Sequence, residues 1–384
     1  MAEKDGTERK PERKLDRCSE RHCDSVVLNH SGLVISGVNF WGGMFYVPAF
    51  FLLAGYTYEP KEESYKSFVK RKAKRLLVPY FVTNIVLALF FLVKDLLLGG
   101  FMMTGKAGVS FLGILYGRNQ LLKAGNAFGA FETPGFVVNF MPNLNAPTWF
   151  LPALFLVLIC ADGLFRLMKR NKKRVYLFTA VLAFLMLSYY YLVPFMLPWC
   201  LDILPYLSGF FLIGYELKDG RLFGKLDEAA PPVKYGAIAG ILTVTVISGL
   251  YNGSSNLSLS YFGKTVAVSM ISAVSSSCVF LLILRWIDKK VPQFIKLAGR
   301  LSKYTLTILC WHYFVMQMFY AFAAVIIPGI GTGKGQSLIQ LAGIVLSVTA
   351  CVILHYIYER IRKSRKHGKN GNDKDDRRKD AWNS

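Results

Sequence analysis

Charge is scarce in this sequence: 18% of its 384 residues are Asp, Glu, Lys or Arg, against about a quarter in a typical soluble domain. Hydrophobic residues make up 53%, and the mean hydropathy is +0.36. A soluble chain of this length needs more polar surface than that, so the class is membrane. Histidine is rare too, at five residues, and the seven cysteines include no CxxC pair. With no His cluster at ligand spacing, neither a disulfide framework nor a zinc site follows, and no metal is expected. Cys160, Cys200, Cys278, Cys310 and Cys351 fall in apolar stretches, where a free thiol behaves as a small hydrophobe. An internal repeat is also lacking, which weighs against transporters built from inverted repeats.

Acids are outnumbered, 24 against 46 Lys and Arg, for a formal net charge of +22. In a soluble protein that excess would suggest nucleic acid. Here the cations sit in short runs between apolar stretches, such as 66–75 and 169–174. That is positive-inside bias, and no nucleic-acid partner is expected.

Long apolar runs are what the sequence does have. About 20 residues cross the hydrocarbon core, and nine stretches qualify: 41–58, 77–99, 147–168, 175–194, 197–215, 234–251, 263–287, 304–327 and 337–358. A tenth, near 26–38, is short and follows a charged segment. Pro198, Asp202 and Pro205 predict a kink or break in the fifth. The expected fold is an all-α integral membrane bundle of about ten transmembrane helices.

Loop charge sets the orientation. Basic runs follow 58, 168, 215 and 287, and the chain ends in a charged tail; the alternate loops are poor in Lys and Arg. Both termini are therefore expected in the cytoplasm, with the bundle in the plasma membrane. A reporter fused after Lys173 or Lys289 should behave as cytoplasmic, and one near Gly125 or Ser255 as external. External behaviour at Lys173 would overturn the helix count.

Three segments lie outside the spans. The external stretch 100–146 carries apolar clusters at Phe111–Tyr116 and Phe136–Met141, so a re-entrant or interfacial helix is expected there. Residues 361–384 form a charged tail expected to be disordered and cytoplasmic. Residues 1–25 are charged throughout, yet lead straight into the apolar Val26-Val27-Leu28. Codons for Lys14 through Val26 exist for which the frame one base along reads NWIDVAKGIAIL. Joined to Val27 onward, that string completes an apolar first helix. One reading makes this segment an out-of-frame remnant; the other, an ordinary basic juxtamembrane tail.

Five stretches, in order, carry a resemblance. They are Val26 to Gly32; Phe45 to Tyr56 (FYVPAFFLLAGY); Phe68 to Tyr80 (FVKRKAKRLLVPY); Pro147 to Ala153 (PTWFLPA); and Gly299-Arg300-Leu301-Ser302 through His312. Together they resemble the acyltransferase 3 family, in particular its fucose 4-O-acetylase-like branch, over residues 26–360. The departures are Tyr46-Val47-Pro48 where the family has His-Met-Pro, Ala54-Gly55 where it has Ser-Gly, and Lys72-x-x-Arg75 where it has Arg-x-x-Arg. Gly331-Thr332-Gly333-Lys334-Gly335 is not a P-loop, because the first glycine of the spacing falls on Pro328 and no Ser or Thr follows the lysine.

The resemblance implies transfer of an acetyl group from cytoplasmic acetyl-CoA to a hydroxyl of a surface or lipid-linked saccharide. His30, beside Asn29 and Ser31, would take the hydroxyl proton, as imidazole suits a base near neutral pH. The bland alternative is an interfacial histidine bonded to a neighbouring helix. Arg71, Lys72 and Arg75 would hold the donor's phosphates, though positive-inside topology accounts for most of the run. His312 and Asp202 are candidates for substrate binding, or for a buried hydrogen bond and an interfacial acid. Trp149 is a candidate for stacking at the same site. Two other functions stay open: a glycan or lipid transporter or flippase, and an inactive acyltransferase with a damaged first helix.

Overall fold

The computed structural model describes residues 36–98, 107–118, 145–168, 171–193, 195–219, 222–253, 255–293, 299, 302–326, 339 and 341–360. His30, the charged segment 1–25, the short stretch 26–35 and the tail 361–384 lie outside the described residues.

The chain is helical wherever it is long and apolar. The helices are α1 (Ser36–Tyr56), α2 (Tyr65–Leu98), α3 (Ala107–Tyr116), α4 (Phe150–Leu167), α5 (Lys172–Leu192), α6 (Leu204–Asp219), α7 (Leu222–Glu228), α8 (Pro231–Asn252), α9 (Val266–Lys290) and α10 (Thr305–Ile326). A further helix, α11 (Leu341–Arg360), follows. Short 3₁₀ turns at Ala146–Trp149 and Pro198–Ile203 lead into α4 and α6. Among the described residues there is no strand; Asn256 and Tyr261 form an isolated bridge. Eight of these helices are long and apolar enough to cross a membrane, and α1 adds a further apolar one. All nine expected spans are thus helices. The fold class is all-α and multi-pass membrane.

Two boundaries differ from the sequence expectation. Helix α2 starts at Tyr65, not near 77, because Ser64 caps it: its Oγ accepts from the Ser67 amide at 3.3 Å. The basic run 66–75 is therefore helical and continuous with the span. At 1.5 Å per residue the 34 residues of α2 run about 51 Å, well beyond a 30 Å hydrocarbon core. Helix α1 is already helical at Ser36, where the described residues begin, five residues ahead of the expected 41.

Helices α1 and α6 make the closest crossing. A Cβ on Gly55 would overlap the Phe211 carbonyl, and one on Gly214 would overlap the Leu52 carbonyl. Glycine at both positions lets the two backbones touch, which is how helices pack where lipid removes the hydrophobic drive. Phe51, Leu52, Phe210 and Phe211 interlock around this crossing, fully buried. Helix α9 packs on the other side of α1 and carries α8; α2 packs along α4. At the basic end Asp227 on α7 binds Arg285, Lys289 (3.2 Å) and Lys234 (3.3 Å), tying α7 to α9 and α8. Those bonds, Arg285 first, hold its carboxyl down at about 2.

The expected break at 197–215 is real. Trp199 and Cys200 have φ of 53° and 64°, so the segment turns before α6 begins. The expected short helix at Phe111–Tyr116 is the end of α3, which dips far enough for its Ile114 carbonyl to accept from Tyr80 at 2.7 Å. At its C-terminal end the Leu115 carbonyl also accepts from the Trp199 indole at 2.8 Å, so this end of α3 is met by protein. Phe136–Met141 lies outside the described residues.

Candidate active site

Three polar groupings interrupt the apolar bundle. The first lies at its basic end. Asp162 on α4 is buried, accepts from the Tyr58 hydroxyl, and pairs with Arg166 one turn on. Arg166 also donates to the Glu63 carbonyl at 2.6 Å. The Glu63 side chain pairs with Arg71, and that bond holds its carboxyl below the usual carboxylate range. Alongside, Lys172 and Tyr176 on α5 share Glu216 of α6, and Lys218 pairs with Glu59. This is a ring of neutralised charge around the ends of α1, α2, α4, α5 and α6. In this ring Asp162, Glu63, Glu216 and Glu59 are each bound to a cation.

Lys72 and Arg75 are among the cations outside this pairing. Phe68, Arg71, Lys72 and Arg75 recur at helical spacing along one face of α2. Phe68 is buried, and Arg71 and Lys72 sit over its ring at 5.4 and 5.3 Å. Lys72 is half-buried with no acid bound. Arg75 is exposed, and among the described residues nothing bonds to it. These groups do not stand clear of the bundle. The Tyr65 hydroxyl reaches the Ile159 carbonyl of α4 at 3.2 Å, so the basic stretch runs alongside α4. Arg75 lies ten residues beyond Tyr65 on α2, about 15 Å along the axis.

The second grouping is deeper, where α2, α4 and α10 meet. Asn84 on α2 donates to the Thr148 hydroxyl at 3.1 Å, and Thr148 donates to the Asn145 carbonyl at 2.8 Å. The Asn145 side-chain amide reaches across to the Cys310 carbonyl of α10 at 2.7 Å. Trp149, next in the same 3₁₀ turn, is buried with its ring edge-on to Phe150 at 6.5 Å. His312, two residues past Cys310, bonds through Nδ1 to the Ile308 carbonyl of its own helix at 2.6 Å. With a carbonyl as partner, Nδ1 carries the proton and Nε2 keeps its lone pair.

The third grouping holds Asp202. Arg118, just past α3, forms an ion pair with it in which the side chains are 0% and 1% exposed. Arg118 also donates to the Ser258 carbonyl at 3.0 Å, and Asp202 accepts from Ser260 at 2.6 Å. The Leu197 amide adds a bond at 3.3 Å. One guanidinium thus fastens α3, the turn before α6 and the loop between α8 and α9. Asp202 is committed to Arg118. His355 on α11 bonds Thr307 of α10 at 2.8 Å.

Compared with known proteins, residues 22–356 match the model of a family described as an acyltransferase domain, acyltransferase family 3. No curated protein and no solved structure matches the chain.

Proposed function

Because the chain belongs to the acyltransferase 3 family and is a multi-pass membrane acyltransferase, we propose that it moves an acetyl group from cytoplasmic acetyl-CoA to a hydroxyl of a surface or lipid-linked saccharide. The enzyme would be an O-acyltransferase of the plasma membrane with both termini in the cytoplasm. The acceptor hydroxyl attacks the thioester carbonyl carbon; the C–O bond forms and the C–S bond breaks. His30 takes the hydroxyl proton and returns it to the departing thiolate, giving free CoA.

Arg75 is the observation that carries this reading. Asp162, Glu63, Glu216 and Glu59 are each bound to another cation, and among the described residues none bonds Arg75, whose side chain is exposed. An unpaired guanidinium suits a polyanionic donor, whose phosphates accept bidentate bonds from Arg. Lys72 on the same face would add a point charge, and Arg71, partly neutralised by Glu63, would contribute less.

Arg75→Ala should raise the KM for acetyl-CoA by roughly 10–150-fold, since a charge-assisted bond is worth about 1.5–3 kcal/mol. Lys66→Ala, on an exposed face of the same run, should change it by less than about twofold. Labelling of surface glycan from acetyl-CoA by isolated membranes measures both. Equal effects would reduce the run to a topology signal. No acetyl-CoA-dependent labelling from intact parent protein would favour a transporter.

A further inference from the structure

Asn145 is the N-cap of the 3₁₀ turn before α4, yet its side chain caps nothing. It turns away from the helix and donates to the Cys310 carbonyl at 2.7 Å. That bond fixes which way the amide faces, because only the nitrogen can donate to a carbonyl. Among the described residues no donor meets the oxygen, which is buried in a residue that is 5% exposed. In water such an oxygen would be solvated; inside a lipid-embedded bundle an unmet acceptor destabilises the fold. Thr148 cannot relieve it, since its one hydroxyl proton goes to the Asn145 backbone carbonyl. An apolar residue would pack here without that penalty. An amide kept at this cost points to something absent from the bare chain.

Resting on the acyl-transfer reading, we propose that Asn145 Oδ1 receives a hydrogen bond from a neutral donor group of a substrate in the bundle core. Two groups share that chemistry: an N–H of the amide-bearing arm of acetyl-CoA, and a hydroxyl of the saccharide. The position suits either. Asn84, which joins Asn145 through Thr148, lies nine residues beyond Arg75 on α2, about 14 Å along the axis. A donor anchored by its phosphates at Arg75 would extend its arm toward this depth. An acceptor entering from the other end would meet it there.

The experiment uses the full chain purified in detergent, with Asn145→Leu as the apolar variant and Asn145→Asp as the conservative one. A buried, protonated Asp keeps both functions, its O–H toward Cys310 and its carbonyl oxygen toward the substrate. CoA and its arm-less head, 3′-phosphoadenosine 5′-diphosphate, are the binding probes. Transfer to a solvent extract of the cell's own lipid-linked saccharides gives the acceptor KM. If the arm bonds Asn145, the leucine variant binds CoA at least fivefold more weakly while the head binds as before. If the acceptor bonds it, CoA binding is unchanged and the acceptor KM rises at least fivefold. In both cases Asn145→Asp stays within about twofold of the parent. Unchanged CoA binding and acceptor KM in the leucine variant would overturn the inference. So would a variant whose losses follow its unfolding and which Asp fails to rescue. Absence of CoA binding by the parent would instead overturn the donor reading on Arg75, leaving the acceptor KM to decide Asn145.

Discussion

Replacing Asp202 with alanine is expected to cost the fold about 3–5 kcal/mol, the usual penalty for leaving a buried ion unpaired. The Arg118 guanidinium would remain in a site where it is 0% exposed. Its carbonyl partners, Ser258 and Leu257, cannot neutralise it. The damage should spread, because the same pair joins α3, the turn at Pro198–Ile203 and the loop before α9. Thermal unfolding in detergent should show a midpoint lowered by several degrees. The paired replacement Arg118→Met with Asp202→Leu should recover most of the loss, since it buries no lone charge. If Asp202→Ala unfolds like the parent but acceptor KM rises, Asp202 binds sugar hydroxyls, as its place in the sequence first suggested.

That pair also shows where sequence reading stops. Its partners are 84 residues apart, and nothing local marks Arg118 except that it stands in a loop otherwise poor in cations. Long apolar runs, by contrast, declare themselves, because a bilayer demands about 20 of them at a time. The break before α6 was legible as well: Pro198 and Pro205 bracket it, and two residues there adopt positive φ. Helix α2 ran past its apolar stretch because its start is set by the Ser64 cap, a signal of capping and not of hydropathy.

The site divides in the same way. Arg71, Lys72 and Arg75 were readable as a cluster, but which of them is free was not. That depends on Glu63, eight residues before Arg71, folding back onto it. Asp162 and Arg166 are written at i,i+4 spacing inside an apolar span, where burying ions is expensive enough to single them out. Their partner Tyr58 lies 104 residues from Asp162 and carries no mark. Asn145 looks like an ordinary cap in sequence; only the α10 carbonyl at its nitrogen reveals the unmet oxygen.

His30→Ala should slow transfer on the order of 10²–10⁴-fold, the range for losing a positioned base. The variant should still insert and still bind acetyl-CoA, because the spans from α2 onward and the cations on α2 are untouched. The first helix decides how large the parent activity is. A base works only if held within hydrogen-bond reach of its proton, and the apolar stretch ahead of His30 is too short to anchor it across a bilayer. A chain carrying NWIDVAKGIAIL ahead of Val27 should therefore be much more active than the printed one. Rates for four proteins, with and without that helix and with and without His30, separate anchoring from chemistry. In the restored chain His30→Ala should abolish the gain. Full activity of the alanine variant in the restored chain would remove His30 from the mechanism. The base would then be sought at His312, whose protonated Nδ1 on Ile308 leaves Nε2 free to accept a proton.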